Sequence, residues 1–185
     1  MNVLIAPDKF KGSLTAAQVV HHLGRGLEQR GIHHDGLPLA DGGDGSVAAA
    51  VAAGFRSVEV DVAAATGERH AAAIAFDGVT AVVEVANTCG LHTLPAGTPD
   101  PLRSSSAGLG DAVRAALQLE AKRIVLALGG SASTDGGTGM LAVLGAVFRD
   151  EAGQPVTPDG GTLGRIHTVD LAGLPTTSRL RTLTD

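Results

Sequence analysis

Strand and helix patterns alternate in the first third of the chain. Apolar runs over residues 2–6 and 36–40 predict two short strands, the first of them buried. Between them, apolar residues recur at helical spacing after a capping box formed by Thr15 and Gln18. The helical stripe consists of Val19, Val20, Leu23 and Leu27. Since a second helix is predicted over residues 46–53, the alternation indicates a parallel α/β layer.

The middle of the chain breaks this rhythm. Residues 57–86 predict three strands joined by turns, with Asp77 and Gly78 as a two-residue hairpin turn between two apolar runs. Because such an antiparallel meander does not continue a parallel α/β layer, we expect a domain boundary or an insertion near Gly67. The predicted domains are therefore residues 1–66 and residues 67–185.

Helix and strand patterns return after a proline-rich loop. A helix is predicted over residues 107–119, capped by one of the serines at 104–106, and a buried strand follows over residues 123–128. Another helix is predicted over residues 139–148, and residues 178–185 fit a strand. The predicted fold class is α/β.

The composition shows an excess of glycine and disfavours several classes of function. Glycine supplies 26 of 185 residues, about twice its usual share, and much of the excess lies in a few loops. The net charge of −5, without a basic cluster interleaved with aromatic residues, disfavours nucleic-acid binding. No apolar run approaches the ~20 residues of a membrane span. The single cysteine, Cys89, excludes an internal disulfide and indicates a buried, inert thiol in a reducing, cytoplasmic setting.

Three glycine-bearing loops each follow a predicted strand and precede a predicted helix. We call them the first loop (residues 7–13), the second loop (residues 41–45) and the third loop (residues 129–137). Ligands in open α/β sheets bind at the carboxyl ends of the strands, and free N–H groups at the start of a helix favour anions. We therefore expect the three loops to converge on one ligand that carries phosphate.

The first loop brings positive charge to a strand end. Lys9 and Lys11 are candidate catalytic residues, because a transferring phosphoryl group spreads negative charge over its oxygens. Asp8 is a candidate metal ligand or proton acceptor, and Ser13 is a candidate phosphate ligand at the end of the loop. The alternative is a pair of solvated lysines ahead of a helix.

The second loop carries two carboxylates, Asp41 and Asp44. Carboxylates repel bare phosphate, so they need a mediator such as Mg²⁺, which takes oxygen ligands and bridges to phosphate. Direct hydrogen bonds to substrate hydroxyls are the other option, and an acidic turn that caps the next helix is the structural alternative. Gly42, Gly43 and Gly45 are candidate ligand-binding positions between these carboxylates.

The third loop combines glycines with hydroxyls and one carboxylate. Its length and its four glycines exceed what a simple strand-to-helix connection needs. Such a loop suits phosphate or a small polyol acid, and Asp135 is a candidate catalytic carboxylate within it. The candidate ligand-binding residues are Gly129, Gly130, Ser131, Gly136 and Gly137.

The common nucleotide-binding motifs are weak or missing. No glycine loop ends in the Gly-Lys-Ser/Thr of a Walker A sequence. The pattern G-x-G-x-x-A occurs at residues 43–48 and 137–142, yet Asp44 would face the pyrophosphate in the first, and the second follows a long loop. A dinucleotide-binding oxidoreductase is therefore the weaker alternative.

Taken together, the loops resemble the signature segments of a known family. The segments are APDKFKGSLTA (residues 6–16), PLADGGDGS (residues 38–46), EVANTCGL (residues 84–91) and LGGSASTDGGTGM (residues 128–140). Their order and spacing across essentially the whole chain are similar to those of bacterial glycerate kinases of type 1. Any one loop is weak evidence, whereas the set is specific.

The resemblance implies ATP-dependent phosphorylation of D-glycerate, usually to 2-phosphoglycerate and otherwise to 3-phosphoglycerate, with Mg²⁺. It also implies a Rossmann-like or flavodoxin-like parallel layer with a second α/β domain inserted into it, and a site in the cleft. Residues 1–66 then begin the first domain, and residues 67–185 belong to the inserted one. D-glycerate is the expected partner, without nucleic acid or membrane, and a homo-oligomer is left open.

The sequence departs from the family pattern in a few places. Asp44 stands where the family usually has Glu, which keeps the chemistry, and residues 104–113 follow the pattern only loosely. Members of the family are about twice as long, so we expect the N-terminal half of such a kinase, with a non-catalytic fragment as the alternative. The general base is left open among Asp8, Asp135 and Asp185.

Overall fold

Three sheets form the framework of the protein in the computed structural model, which describes residues 1–10, 13–95 and 99–175. Strands and helices alternate along most of the chain, so the fold is α/β as predicted. The elements are β1 (Asn2–Ile5), α1 (Ala16–Glu28), β2 (His33–Gly36), α2 (Ser46–Ala52), β3 (Arg56–Ala63), β4 (Arg69–Phe76), β5 (Thr80–Glu84), α3 (Val85–Cys89), α4 (Ala107–Gln118), β6 (Arg123–Ala127), α5 (Thr138–Leu144), β7 (Val147–Arg149) and β8 (Thr168–Asp170).

The first layer consists of β1 and β2, which pair in parallel from Asn2 with His33 to Ile5 with Gly36. The second strand was predicted over residues 36–40 and lies earlier, at His33–Gly36. Its polar sequence hides it from a pattern of apolar residues, and pairing with β1 determines its position. The apolar residues after it continue alongside β1 through hydrogen bonds from Leu37 N to Ile5 O and from Leu39 N to Pro7 O.

Helix α1 begins at the predicted capping box. The Thr15 hydroxyl accepts a hydrogen bond from Gln18 N at 3.2 Å, and Thr15 N donates to the Gln18 side chain at 2.8 Å. This reciprocal pair satisfies two backbone donors that an α-helix start leaves open. Within the helical stripe Val19 is buried, whereas Leu23 is 54% exposed.

The prediction that the first strand is buried is wrong. In β1 only Ile5 is buried, and Leu4 is 64% exposed. In the described part of the chain, β1 and α1 line an open apolar hollow of about 640 Å³ that no other described element fills. The sequence pattern shows that these residues are apolar, whereas their burial depends on which elements pack against them.

The central sheet has the strand order β3-β4-β5-β6. The first two pairings are antiparallel and the last, between β5 and β6, is parallel, so the predicted three-stranded meander is confirmed. The turn between β4 and β5 covers Asp77 to Val79, one residue more than predicted, and the Asp77 carboxylate accepts hydrogen bonds from Val79 N and Thr80 N. Gly67 lies in the turn of the fully paired β3–β4 hairpin. The domain boundary predicted near this residue stays a prediction.

The main core lies between this sheet and α4. It is made of small and β-branched side chains, as a chain rich in Ala and Val requires, and each fully buried Val or Ile contributes about 1.5–3 kcal/mol. Its most deeply buried members include Val62, Ile74, Val83, Ala112 and Ala116. The core therefore fixes the carboxyl ends of β5 and β6, from which two segments of the candidate site extend.

Strand β6 was predicted to be buried, and this prediction is wrong. Among the described residues β6 pairs with β5 alone and forms the edge of the sheet. Val125 and Leu126 are each 36% exposed, and Leu128, just after the strand, is 60% exposed. The apolar run is real, but one side of it has no described neighbour.

The last predicted helix, over residues 139–148, is shorter in the structure. Helix α5 ends at Leu144 because Gly145 adopts a left-handed conformation with φ of 116°, and its backbone lies against Gly173. The chain then forms β7, which pairs antiparallel with β8. The strand predicted over residues 178–185 lies outside the described residues.

Helix α4 begins after Ser106, one of the three serines predicted to cap it. The Ser106 side chain makes no cap bond to this helix and instead contacts Asp135. Among the described residues, no helix has the length and apolar character needed to cross a membrane.

Burial of Cys89 gives a testable consequence. The side chain is free and 1% exposed, and burial is the main cause that raises the pKa of its thiol. Because the thiolate is the reactive form, we expect Cys89 in the folded chain to react with a disulfide reagent at least ~10-fold more slowly than in urea at the same pH. Absorbance of the released thiol measures both rates, and equal rates would contradict this burial.

Candidate active site

The second and third loops meet backbone to backbone. Gly129 N donates a hydrogen bond to Gly42 O at 2.8 Å. A Cβ on Gly129 would lie 2.5 Å from the Cα of Gly43, a distance that real Cβ atoms essentially never show. Position 129 therefore requires glycine for this close approach. The predicted convergence of these two loops is present in the structure.

Lys9 brings the first loop to the same place. Its Nζ donates to Asp44 O at 2.6 Å and lies 4.0 Å from the Asp41 carboxylate. The lysine side chain is 21% exposed, so its charge lies partly within the site. Its hydrogen bond stabilises the peptide of the second loop and leaves a positive charge beside two acidic residues. Lys11 lies outside the described residues.

Asp8 and Ser13 lie on the first loop without joining the other two loops. Asp8 is exposed, and its Oδ1 accepts a hydrogen bond from Lys9 N at 2.6 Å. Ser13 is exposed, and its hydroxyl donates to Phe10 O at 3.1 Å. Among the described residues neither side chain is hydrogen-bonded to the second or third loop, so their local contacts are those of turn residues.

The two carboxylates of the second loop have different surroundings. Asp41 is exposed, and its Oδ1 accepts from Gly43 N at 3.1 Å. Asp44 is half-buried, and its Oδ2 lies 3.7 Å from Nε2 of His92. Within residues 1–10, 13–95 and 99–175, no group of three or more His, Cys, Asp or Glu side chains is arranged to hold a metal ion. His92 was not predicted, and its approach to Asp44 depends on the tertiary fold.

Asp135 is a buried junction between two helices. It is 1% exposed, and its two carboxylate oxygens accept five hydrogen bonds. The donors are Ser106 N, the Ser106 hydroxyl, the Ser133 hydroxyl, Gly137 N and Gly139 N. Because these donors occupy both oxygens, the arrangement favours a positioning role at the starts of α4 and α5 over proton transfer.

The segment EVANTCGL (residues 84–91) joins the third loop through backbone contacts. Leu91 N donates to Gly130 O at 2.9 Å, and Gly90 forms an isolated antiparallel bridge with Ser131. The Ser131 side chain is exposed, and its hydroxyl contacts Ser133 O at 3.3 Å. The third loop is therefore held from the side of α3 as well as from the second loop.

Glu84 is the functional candidate that sequence reasoning did not single out. It ends β5, is 2% exposed, and accepts hydrogen bonds from Gly45 N at 3.2 Å and Val47 N at 2.9 Å. The only sequence signal was its place at the head of the segment EVANTCGL (residues 84–91), because its partners lie 39 and 37 residues away.

Backbone donors in the glycine loops fall into two groups. The N–H groups of Gly45 and Gly137 are taken by the carboxylates of Glu84 and Asp135. Among the described residues, the N–H groups of Gly42, Gly130 and Gly136 have no protein acceptor. Gly42, Gly130 and Gly136 therefore have backbone donors left for a bound anion.

The contact between the loops predicts a large effect of one added methyl group. Gly129→Ala places a Cβ against Gly43, and we expect the free energy of unfolding to fall by about 1–3 kcal/mol through overpacking. Gly26→Ala is the matched control, because space around Gly26 in α1 is open and alanine favours a helix by up to ~1 kcal/mol. Urea unfolding curves give both values, and a Gly129→Ala chain as stable as the parent would contradict the contact.

Known proteins provide an independent comparison. Residues 3–184 match the model of the glycerate kinase family. The chain is 39% identical over 98% of its length to a glycerate kinase of Bacillus subtilis strain 168, and 37% identical over 94% to a glycerate 2-kinase of Escherichia coli K12. A crystal structure of a protein assigned as glycerate kinase 2 from Salmonella typhimurium LT2 matches 94% of the chain with a TM-score of 0.79 at 37% identity.

These matches cover a limited part of the other proteins. The chain covers 48% of the Bacillus protein, 47% of the Escherichia protein and 48% of the Salmonella chain. It thus spans about half the length of the relatives it matches. The matched half contains all three glycine loops, and the family model extends over nearly every residue of the chain. The chain therefore belongs to the glycerate kinase family.

Proposed function

We propose that this chain takes part in the ATP-dependent phosphorylation of D-glycerate to 2-phosphoglycerate or 3-phosphoglycerate. The observation that carries the proposal is the contact of Lys9 with the second loop, which in turn contacts the third loop. Phosphoryl transfer depends mainly on holding phosphate and offsetting its charge, which a lysine and free backbone N–H groups provide. The relatives' names supply the acceptor, because they are called glycerate kinases.

Lys9 is the proposed source of positive charge for the transferred phosphoryl group. Its amine is already held by Asp44 O, so little conformational freedom is lost when it meets an anion. A lysine fixed before the reaction stabilises charge that develops in the transition state. Lys11, outside the described residues, has the same proposed role.

Mg²⁺ is the proposed mediator between the acidic second loop and phosphate. Asp41 and Asp44 supply carboxylate oxygens, the ligand type this ion prefers, and Mg²⁺ is commonly held by one or two carboxylates together with phosphate oxygens. When bound, the ion neutralises phosphate charge.

The backbone N–H groups of Gly42, Gly130 and Gly136 are the proposed donors to phosphate or to the glycerate carboxylate. Each lies on a converging loop and has no acceptor among the described residues. Gly45 and Gly137 act instead through their bonds to buried carboxylates. Gly43 and Gly129 act through their close contact, and Ser131 offers an exposed hydroxyl at the same loop.

Asp8 is the proposed general base. Of the three candidates, Asp135 has both oxygens occupied by five donors, and Asp185 lies outside the described residues. Asp8 is exposed beside Lys9, with one oxygen bonded to the backbone. An exposed carboxylate next in sequence to the proposed phosphate-binding lysine has an oxygen left to accept a proton from a substrate hydroxyl.

A second candidate function is ligand binding without turnover. The chain spans about half of its relatives, and apolar side chains of β1 and β6 are exposed in the described residues, among them Leu4 and Leu126. A chain of this kind would bind D-glycerate or ATP and release no ADP. We place either function in the cytoplasm, because a free thiol suits a reducing compartment.

Replacing Lys9 tests the proposal. In Lys9→Met, we expect kcat for D-glycerate-dependent ADP release from MgATP to fall roughly 100-fold or more, because the transition state loses a fixed charge. A coupled assay of ADP measures the rate. If the parent chain binds without turnover, the dissociation constant for MgATP measured by calorimetry replaces kcat and is expected to rise.

Lys122→Met is the matched control for this substitution. Lys122 is exposed and precedes β6, at the opposite end of the strand from the third loop. The control removes the same charge from the chain and should leave both measurements unchanged. Equal values for parent and Lys9→Met would sink the role of Lys9, and no effect of D-glycerate on the parent in either assay would reject the proposed function.

A further inference from the structure

Glu84 joins the central sheet to the second loop. It is the last residue of β5, and its carboxylate accepts Gly45 N through Oε1 and Val47 N through Oε2. Helix α2 has Gly45 as its N-cap and no side-chain cap of its own. Glu84 therefore supplies from a distant strand the acceptor that a neighbouring Ser, Thr or Asp would usually supply.

The environment of this carboxylate requires those two bonds. Glu84 is 2% exposed, and no Lys, Arg or His of the described chain forms an ion pair with it. A buried charge without a cationic partner needs hydrogen bonds, and backbone N–H groups at a helix start supply both donors and partial positive charge. The sheet and the start of α2 are thus held together by a charge-assisted contact.

The contact completes a set of three attachments on the second loop. Glu84 holds its end at Gly45, Gly129 N holds Gly42 O, and Lys9 Nζ holds Asp44 O. The attachments come from β5, the third loop and the first loop. The orientation of the carboxylates at positions 41 and 44 therefore depends on a peptide backbone that Glu84 fixes at one end.

Direct chemistry by Glu84 does not fit this geometry. Both of its oxygens accept backbone N–H groups, and the side chain is removed from solvent. A general base or metal ligand must reach the reacting atoms or the ion. Glu84 acts on the site through the backbone of the loop.

We propose that Glu84 is a positioning residue that holds the second loop in the geometry that binds D-glycerate. This inference rests on the proposed function for the identity of the ligand and on the structure alone for the attachment of the loop. The acceptor-only character of the carboxylate is essential, because both partners are donors. An amide of the same shape can accept from one of them and presents an N–H group to the other.

The test uses Glu84→Gln and Glu84→Asp. In Glu84→Gln, we expect hydrogen exchange at Gly45 or Val47 to accelerate ~10-fold or more, and KM for D-glycerate to rise by a similar factor. Glu84→Asp keeps the charge and both acceptors on a side chain one methylene shorter, so its KM should lie between those of the parent and Glu84→Gln. Exchange is followed by amide NMR, and KM by ADP release or, without turnover, as the dissociation constant for D-glycerate.

The split between KM and kcat separates positioning from a general loss of stability. Partial unfolding lowers the amount of active protein and thus the apparent kcat, whereas a displaced loop changes KM. Glu59→Gln is the control, because Glu59 is exposed on β3 and the substitution makes the same change of charge. It should alter neither exchange nor KM.

Two results bear separately on the two proposals. Unchanged exchange at Gly45 and Val47 in both variants would overturn the role of Glu84, whatever the ligand. A parent chain that neither binds nor phosphorylates D-glycerate would reject the proposed function, and the exchange rates would still decide whether Glu84 holds the loop.

Discussion

The close approach of Gly43 and Gly129 is the constraint on which the candidate site depends. A hydrogen bond between the second and third loops, from Gly129 N to Gly42 O, accompanies a separation that leaves no space for a Cβ on Gly129. Loops from two different sheets are thereby fixed against each other, since the second loop follows β2 and the third follows β6. The amine of Lys9 then lies at this junction because Asp44 O accepts its hydrogen bond.

Two buried carboxylates hold the residues around this junction in place. Glu84 and Asp135 lie at the starts of α2, α4 and α5, and each is satisfied mainly by backbone N–H groups. A hydrogen bond to a charged group contributes about 1.5–3 kcal/mol, and a buried acceptor left without a donor costs a similar amount. Carboxylates therefore have two roles here. The buried ones are structural, whereas those of Asp41 and Asp44 reach the surface and are available to a ligand.

Sequence predicted the features that local chemistry determines. The capping box at Thr15, the meander and the meeting of the second and third loops follow from residue types over short stretches and from the strand-end rule. Other features depend on residues that are distant in sequence, so the pattern of apolar and polar residues could not predict them. These features are the early position of β2, the end of α5 at Gly145 and the exposure of β1 and β6. The same limit hid Glu84, whose two partners are far away in sequence. It also hid the five donors around Asp135, whose catalytic role stays a prediction.

Amide NMR of the chain titrated with MgATP and D-glycerate shows whether the glycine loops form one ligand site. The backbone donors available in such a site include the N–H groups of Gly42, Gly130 and Gly136. We expect saturable shifts to concentrate at these glycines and at Lys9, while the N–H of Gly137, already bound to Asp135, changes less. Shifts that cluster elsewhere on the chain, or none at saturating ligand, would contradict it.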